Sequence, residues 1–159
     1  MIVLSNSSPL IYLSKLGRLD LLRILFNKVI IPQEVLIEVQ GSRDYPELIF
    51  IEQAIKKKWI IVKETEAKTK FRGLGKGETS LISLAKETNP DLVLVDDASA
   101  RKIIEGFGYN AKGTIYVLLL AYKKKLFKKD EARKLADNLV LSGFRISTEI
   151  YAGILKELE

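Results

Sequence analysis

Leu92-Val93-Leu94-Val95-Asp96-Asp97 is the stretch on which the reading of this chain turns. Four consecutive aliphatic residues, two of them β-branched, lie between Asp91 and Asp96. An apolar run of this length without polar alternation is a strand buried on both faces, as parallel sheets require. Parallel strands need crossovers, usually helical. Residues 78–87, with a stripe of Leu81, Ile82, Leu84 and Ala85, predict a helix before the strand, broken at Asn89-Pro90. Residues 98–107 predict another after it, turned at Gly108.

The same alternation continues in both directions. Residues 2–5 read as a short strand running into Asn6-Ser7-Ser8-Pro9, where polar caps and a Pro start a helix through residue 16, stopped by Gly17. A helix at 19–26, a strand at 29–31, a helix at 33–40 opened by Pro32 and ended by Gly41, a helix at 45–54 and a strand at 59–62 follow. Residues 65–77 are polar and basic enough for a loop. Helices at 114–126, 130–141 and 148–158 complete the chain, the last two separated by Ser142-Gly143. Strands alternating with helices imply right-handed crossovers, and with no repeat or linker they predict a single domain over residues 1–159, a three-layer α/β/α fold around a central, mainly parallel sheet.

Composition narrows the chemistry. The 159 residues include no His and no Cys, which excludes His-dependent triads, Cys nucleophiles, disulfides and the usual zinc sites. Catalysis must therefore use carboxylates, hydroxyls, Lys, Arg or a borrowed metal. With 26 Lys and Arg against 20 Asp and Glu, the net charge of +6 suits a polyanionic partner such as nucleic acid. Lysines cluster at 56–58, at Lys68, Lys70, Arg72 and Lys76, and at 123–129, though any single cluster is equally a solvated helix face. The longest apolar stretch, residues 115–122, is far below the roughly 20 residues of a membrane span. No basic segment precedes the apolar residues at the N-terminus, so the expected location is the cytoplasm.

In an open parallel sheet, sites form outside the carboxyl ends of the strands. Two polar clusters fall there: Asn6-Ser7-Ser8 and Asp96-Asp97. Adjacent Asp residues repel unless a cation lies between them, whereas capping of the next helix explains one of the pair equally well. Glu78, in the first turn of its helix, has a sufficient role in compensating the helix dipole. Glu34 and Glu38 stand opposite the stripe of Val35, Leu36 and Val39, a pattern that predicts a solvated face.

Joined in order, these fragments resemble the PIN domain, in particular its VapC-like prokaryotic branch. The likeness rests on Ile2-Val3-Leu4-Ser5-Asn6-Ser7-Ser8-Pro9-Leu10-Ile11, Pro32-x-x-Val35-x-x-Glu38-Val39, Gly77-Glu78, Leu94-Val95-Asp96-Asp97-x-x-Ala100-Arg101, Gly113-Thr114 and Gly143-Phe144-Arg145-Ile146-Ser147. The resemblance implies a metal-dependent endoribonuclease, in a family many of whose members are toxins held by a protein antitoxin, with Glu38, Glu78, Asp96 and Asp97 as the catalytic acids. It implies a Mg²⁺ or Mn²⁺ site of Asn6, Glu78, Asp96 and Asp97, with Asp97 the closer match to the strand-end acid. Ser8, Lys76, Arg101 and Thr114 are the implied substrate-binding residues and RNA the implied partner. Where PIN domains usually carry Asp at the end of the first strand, this chain has Asn6. All-oxygen clusters select hard cations, and such an ion can activate water for phosphodiester hydrolysis without His.

Two other readings use the same residues. An aspartyl-phosphate phosphotransferase needs a nucleophilic Asp ending its own strand, and the first strand here ends in Asn6. A PIN-like scaffold that binds RNA or protein with a weakened metal site accounts for Asn6 directly. Apolar residues on the last helix (Ile150, Tyr151, Ile154, Leu155, Leu158) and in Leu118-Leu119-Leu120 predict a homodimer, or equally an intramolecular core.

Overall fold

The computed structural model describes residues 1–41, 45–66 and 70–159. Part of the expected basic loop, with Lys68, lies outside the described residues. Contacts divide the chain into two compact units, Met1–Thr114 and Ile115–Glu159.

The first unit contains β1 (Val3–Ser5), α1 (Ser7–Lys15), α2 (Asp20–Phe26), β2 (Val29–Pro32), α3 (Gln33–Gly41), α4 (Leu48–Lys56), β3 (Ile60–Lys63), α5 (Lys76–Thr88), β4 (Leu92–Leu94), α6 (Ala98–Gly106) and β5 (Ala111–Lys112). Its sheet has the order β3-β2-β1-β4-β5 and every pairing is parallel. This is the three-layer α/β/α class anticipated from the alternation of strands and helices. β1 lies at the centre, with Leu4 opposite Ile30 on one side and Val93 on the other. Every residue of β1 and β4 is buried, which is why both read as apolar runs without alternation.

Packing follows the stripes. Leu81, Ile82, Leu84 and Ala85 of α5 join Ala100 and Ile104 of α6 over Leu4, Val93 and Val95 in one core cluster. Burying each of the larger side chains contributes about 2 kcal/mol. Gly17 closes α1 at φ +70°, a conformation that costs a residue without Cβ little. β5 is a correction to the sequence reading, which placed only a turn there. Its two residues carry no apolar run, and they are a strand because Val93 N donates to Asn110 O and Val95 N to Lys112 O, both at 2.8 Å. Tertiary hydrogen bonding, not local propensity, makes this edge.

The second unit holds α7 (Thr114–Lys123) from Ile115 onward, α8 (Lys129–Leu141) and α9 (Thr148–Glu157). α7 ends three residues before its expected limit, because the chain turns at Lys125 with φ +59°. Leu139, Ile154 and Leu158 are buried and share a small apolar void with Leu118 and Phe127. Of the apolar residues that predicted a dimer, Leu118, Ile154 and Leu158 are thus core, while Ile150 (51% exposed) remains open. Among the described residues, no helix is long and apolar enough to cross a membrane.

Candidate active site

The strand order reverses its direction of growth at β1: β2 lies to one side and β4 to the other. Such a switch point opens a crevice beyond the strand ends. Asn6 extends the β1–β4 ladder by one bond, its N donating to Leu94 O at 2.8 Å. The chain then enters α1 with Asn6 as N-cap in an extended conformation (φ −80°, ψ 176°), yet the Asn6 side chain makes no capping bond. Asn6 is 5% exposed and its Oδ1 is buried without a partner. Leaving an acceptor so costs about 1–3 kcal/mol, a cost that needs a reason.

Asp96 stands across from it at the end of β4. Its Oδ2 accepts from Ser8 Oγ (2.6 Å) and Thr114 Oγ1 (2.7 Å), and its Oδ1 accepts from Thr114 N (2.7 Å). Thr114 is fully buried, so its N–H and hydroxyl depend on the carboxylate for their partners. Gly113 makes this approach possible. A Cβ there would stand 2.6 Å from Asp96 Oδ1 and 3.3 Å from an Arg101 Nη1, which places the guanidinium beside the same corner.

The remaining acids are distributed. Asp97 turns away to cap α6, its Oδ2 accepting from Ala100 N at 2.8 Å. Glu78 folds back on its own helix start, Oε2 accepting from Gly75 N at 2.7 Å. Both therefore adopt the helix-end roles that the sequence offered as the alternative to metal binding. Glu38 reaches between elements: Oε2 accepts from Ser7 Oγ (2.9 Å) and Oε1 from Gly77 N (3.0 Å), and a Cβ on Gly77 would overlap its carboxylate. Lys76 is exposed in the first turn of α5.

Of the implied site residues, Asn6, Ser8, Asp96, Thr114 and Arg101 gather at one corner. Glu38 joins the start of α1 to the start of α5, and Glu78, Asp97 and Lys76 serve or border helix ends. Among the described residues, no group of three or more Asp, Glu, His or Cys could hold a metal ion. The corner's donors are nonetheless all oxygen, and Mg²⁺ is commonly held by one or two carboxylates while keeping its waters. The unpartnered Asn6 Oδ1 and the Asp96 carboxylate fit a hard cation in that mode. Sequence reasoning noted Ser7, Gly77 and Gly113 in the fragments it quoted but gave none of them a role. The pairs Gly77-Glu78 and Gly113-Thr114, each at a helix start, were the available signal.

Residues 2–159 match the family described as PIN domain, and the chain belongs to it. Among solved structures it is similar to a PilT N-terminus domain protein from the hyperthermophilic archaeon Sulfolobus solfataricus P2. That likeness has a TM-score of 0.55 and 21% identity, over 74% of this chain and 90% of the other. It shows a shared fold. No curated protein matches the chain.

Proposed function

We propose that this PIN domain is a Mg²⁺- or Mn²⁺-dependent endoribonuclease of the VapC-like type. The observation that carries the reading is a buried, unpartnered oxygen, Asn6 Oδ1, at the end of β1, the strand whose neighbour β4 leads into Asp96 at the same sheet edge. Asn6 and Asp96 would hold the ion, with Glu38, Glu78 and Asp97 as the surrounding acids. A bound hard cation supplies an activated water and neutralises charge on the scissile phosphodiester. Ser8 and Thr114 fix the rotamer of Asp96 by donating to it. Arg101 stands at the same corner to meet a phosphate oxygen, and Lys76 lies at the rim to follow the backbone.

A weakened RNA- or protein-binding scaffold is the second reading, and the capping of helices by Asp97 and Glu78 favours it. One experiment separates the two. RNA incubated with the full chain and Mn²⁺ should be cut, and cutting should disappear with EDTA and in Asp96→Asn. Cleavage that survives both would falsify the metal-dependent mechanism, and no cleavage under any divalent condition leaves the scaffold. A protein antitoxin, a homodimer through the apolar residues of the last helix that stay open, such as Ile150, and a cytoplasmic setting belong to the same proposal. Co-purification with the product of a neighbouring reading frame and mass by light scattering test the first two.

A further inference from the structure

A cleft of about 490 Å³ lies between the first turns of α3 and α5, with Phe71 and Leu74 forming an apolar wall and Lys70 and Lys76 at its rim. Pockets of roughly 300–1,000 Å³ take small organic ligands. Glu34 also lines it, and Glu34 Oε2 is buried with no hydrogen-bond partner. A carboxylate oxygen shielded from water without a donor is costly, and a turn of the Glu34 side chain toward the cleft that this residue lines would let a ligand supply one. Phe71 is braced edge-on by Phe107 at 6.1 Å and 75°, with Lys86 Nζ 5.8 Å from the Phe71 centroid. Glu34 precedes Glu38 by one helical turn, and Glu38 accepts from Gly77 N at the start of α5. The cleft therefore adjoins the candidate active site.

These groups define a ligand by complementarity. An acceptor inside asks for N–H donors, an aromatic wall asks for a flat ring, and lysines at the rim ask for an anion and repel a cationic ligand. A nucleotide satisfies all three, with its base stacked and its phosphate outward. Guanine is the base whose edge presents two adjacent donors, N1–H and the 2-amino group, to a carboxylate. We propose that this cleft is a nucleobase subsite that selects guanine in the RNA. Its place in a cleavage reaction rests on the ribonuclease reading above, but its binding chemistry does not.

The test is binding of the four nucleoside 5′-monophosphates to the full chain in EDTA, followed by ligand-observed NMR and calorimetry. Guanosine monophosphate should bind about tenfold more tightly than adenosine monophosphate. Glu34→Gln should abolish that preference, and Phe71→Ala should weaken all four ligands together. Should Glu34→Gln fail to fold, amide shifts of the native chain decide instead: guanosine monophosphate must perturb Gly75, Lys76, Thr79 and Ser80. Equal affinity for the four, an unchanged preference in Glu34→Gln, or shifts confined elsewhere overturn the subsite. Because the binding test is run in EDTA, it is independent of metal chemistry: a chain that discriminates bases there but does not cut RNA with Mn²⁺ upholds the subsite and defeats the nuclease reading. A chain that cuts RNA without discriminating does the reverse.

Discussion

The corner at the ends of β1 and β4 and the corner between α3 and α5 use the same acidic residue types in different ways. At the first, Asp96 takes donors 88 and 18 residues away, while Asp97 beside it is satisfied by an amide three residues on. At the second, Glu38 takes donors 31 and 39 residues away, while Glu78 takes one three residues back. Carboxylates with distant donors tie elements together; carboxylates with near donors finish a helix. Each corner also leaves one buried oxygen without a partner, Asn6 Oδ1 at the first and Glu34 Oε2 at the second. Those two oxygens have all of their acceptor capacity to spare, whereas Asp96, with three donors on about four acceptor sites, keeps one.

The largest effect should come from Asp96→Ala, which orphans the buried Thr114 N–H and hydroxyl and costs about 3 kcal/mol in urea denaturation. Asp97→Ala should cost about 1 kcal/mol as a lost N-cap, and Asp97→Asn almost nothing. Equal losses at the two positions would break the distinction between distant and local acids. Next, Gly77→Ala should cost about 2 kcal/mol by expelling the Glu38 carboxylate, and much less in a Glu38→Ala background. An additive double-mutant cycle would show that the Glu38 contact does not join α3 to α5 energetically.

Asn6→Asp sharpens the comparison from the other side. A negative charge in place of the unpartnered amide oxygen should tighten Mn²⁺ binding about tenfold in calorimetry, because ligand charge count sets hard-cation affinity. Without metal it should lower stability slightly, through repulsion from Asp96. Unchanged Mn²⁺ affinity would remove Asn6 from the site. The smallest effect at neutral pH is that of Tyr45, whose hydroxyl donates to Val39 O and whose pKa is pushed up to about 12 by burial, with Glu47 and Glu52 adding to it. Since the folded pKa is above the unfolded value near 10, the stabilisation is fully present below pH 10 and is lost as pH rises through 12. Alkaline denaturation of Tyr45→Phe should lose that portion of the pH dependence.

Most of the frame was legible in the sequence because it rests on local pattern. The buried strand at Leu92–Leu94 follows from an apolar run, and α5 follows from the spacing of Leu81, Ile82, Leu84 and Ala85. β5 was not legible, since its two residues are a strand only by virtue of β4. In the site, sequence reasoning named Asp96, Asn6, Ser8, Arg101 and Thr114 but favoured Asp97 as the strand-end acid, whereas Asp97 caps α6 and Asp96 is the one that meets Ser8 and Thr114. That division depends on where Gly113 and Thr114 return, 18 residues on in the case of Thr114. Glu34 was misjudged for a related reason. Opposite Val35 and Val39 it reads as facing solvent, and the packing of α5 against α3 is what encloses its oxygen.

The central position of β1 also has a consequence for the order in which the molecule is made. β1 acquires its β2 neighbour early, but its other edge is closed by β4, and Ile2 N meets Asp91 Oδ2 only across 89 residues of chain. At about 5–20 residues per second, a ribosome takes roughly 5–20 s to supply that second neighbour. During this interval the most buried strand of the finished sheet is an open edge, with Leu4 and Asn6 unpaired on the β4 side. The nascent chain therefore has the central strand of its sheet as its point of greatest vulnerability to mispairing, and the same synthesis of β4 that closes the edge delivers Asp96 to Ser8.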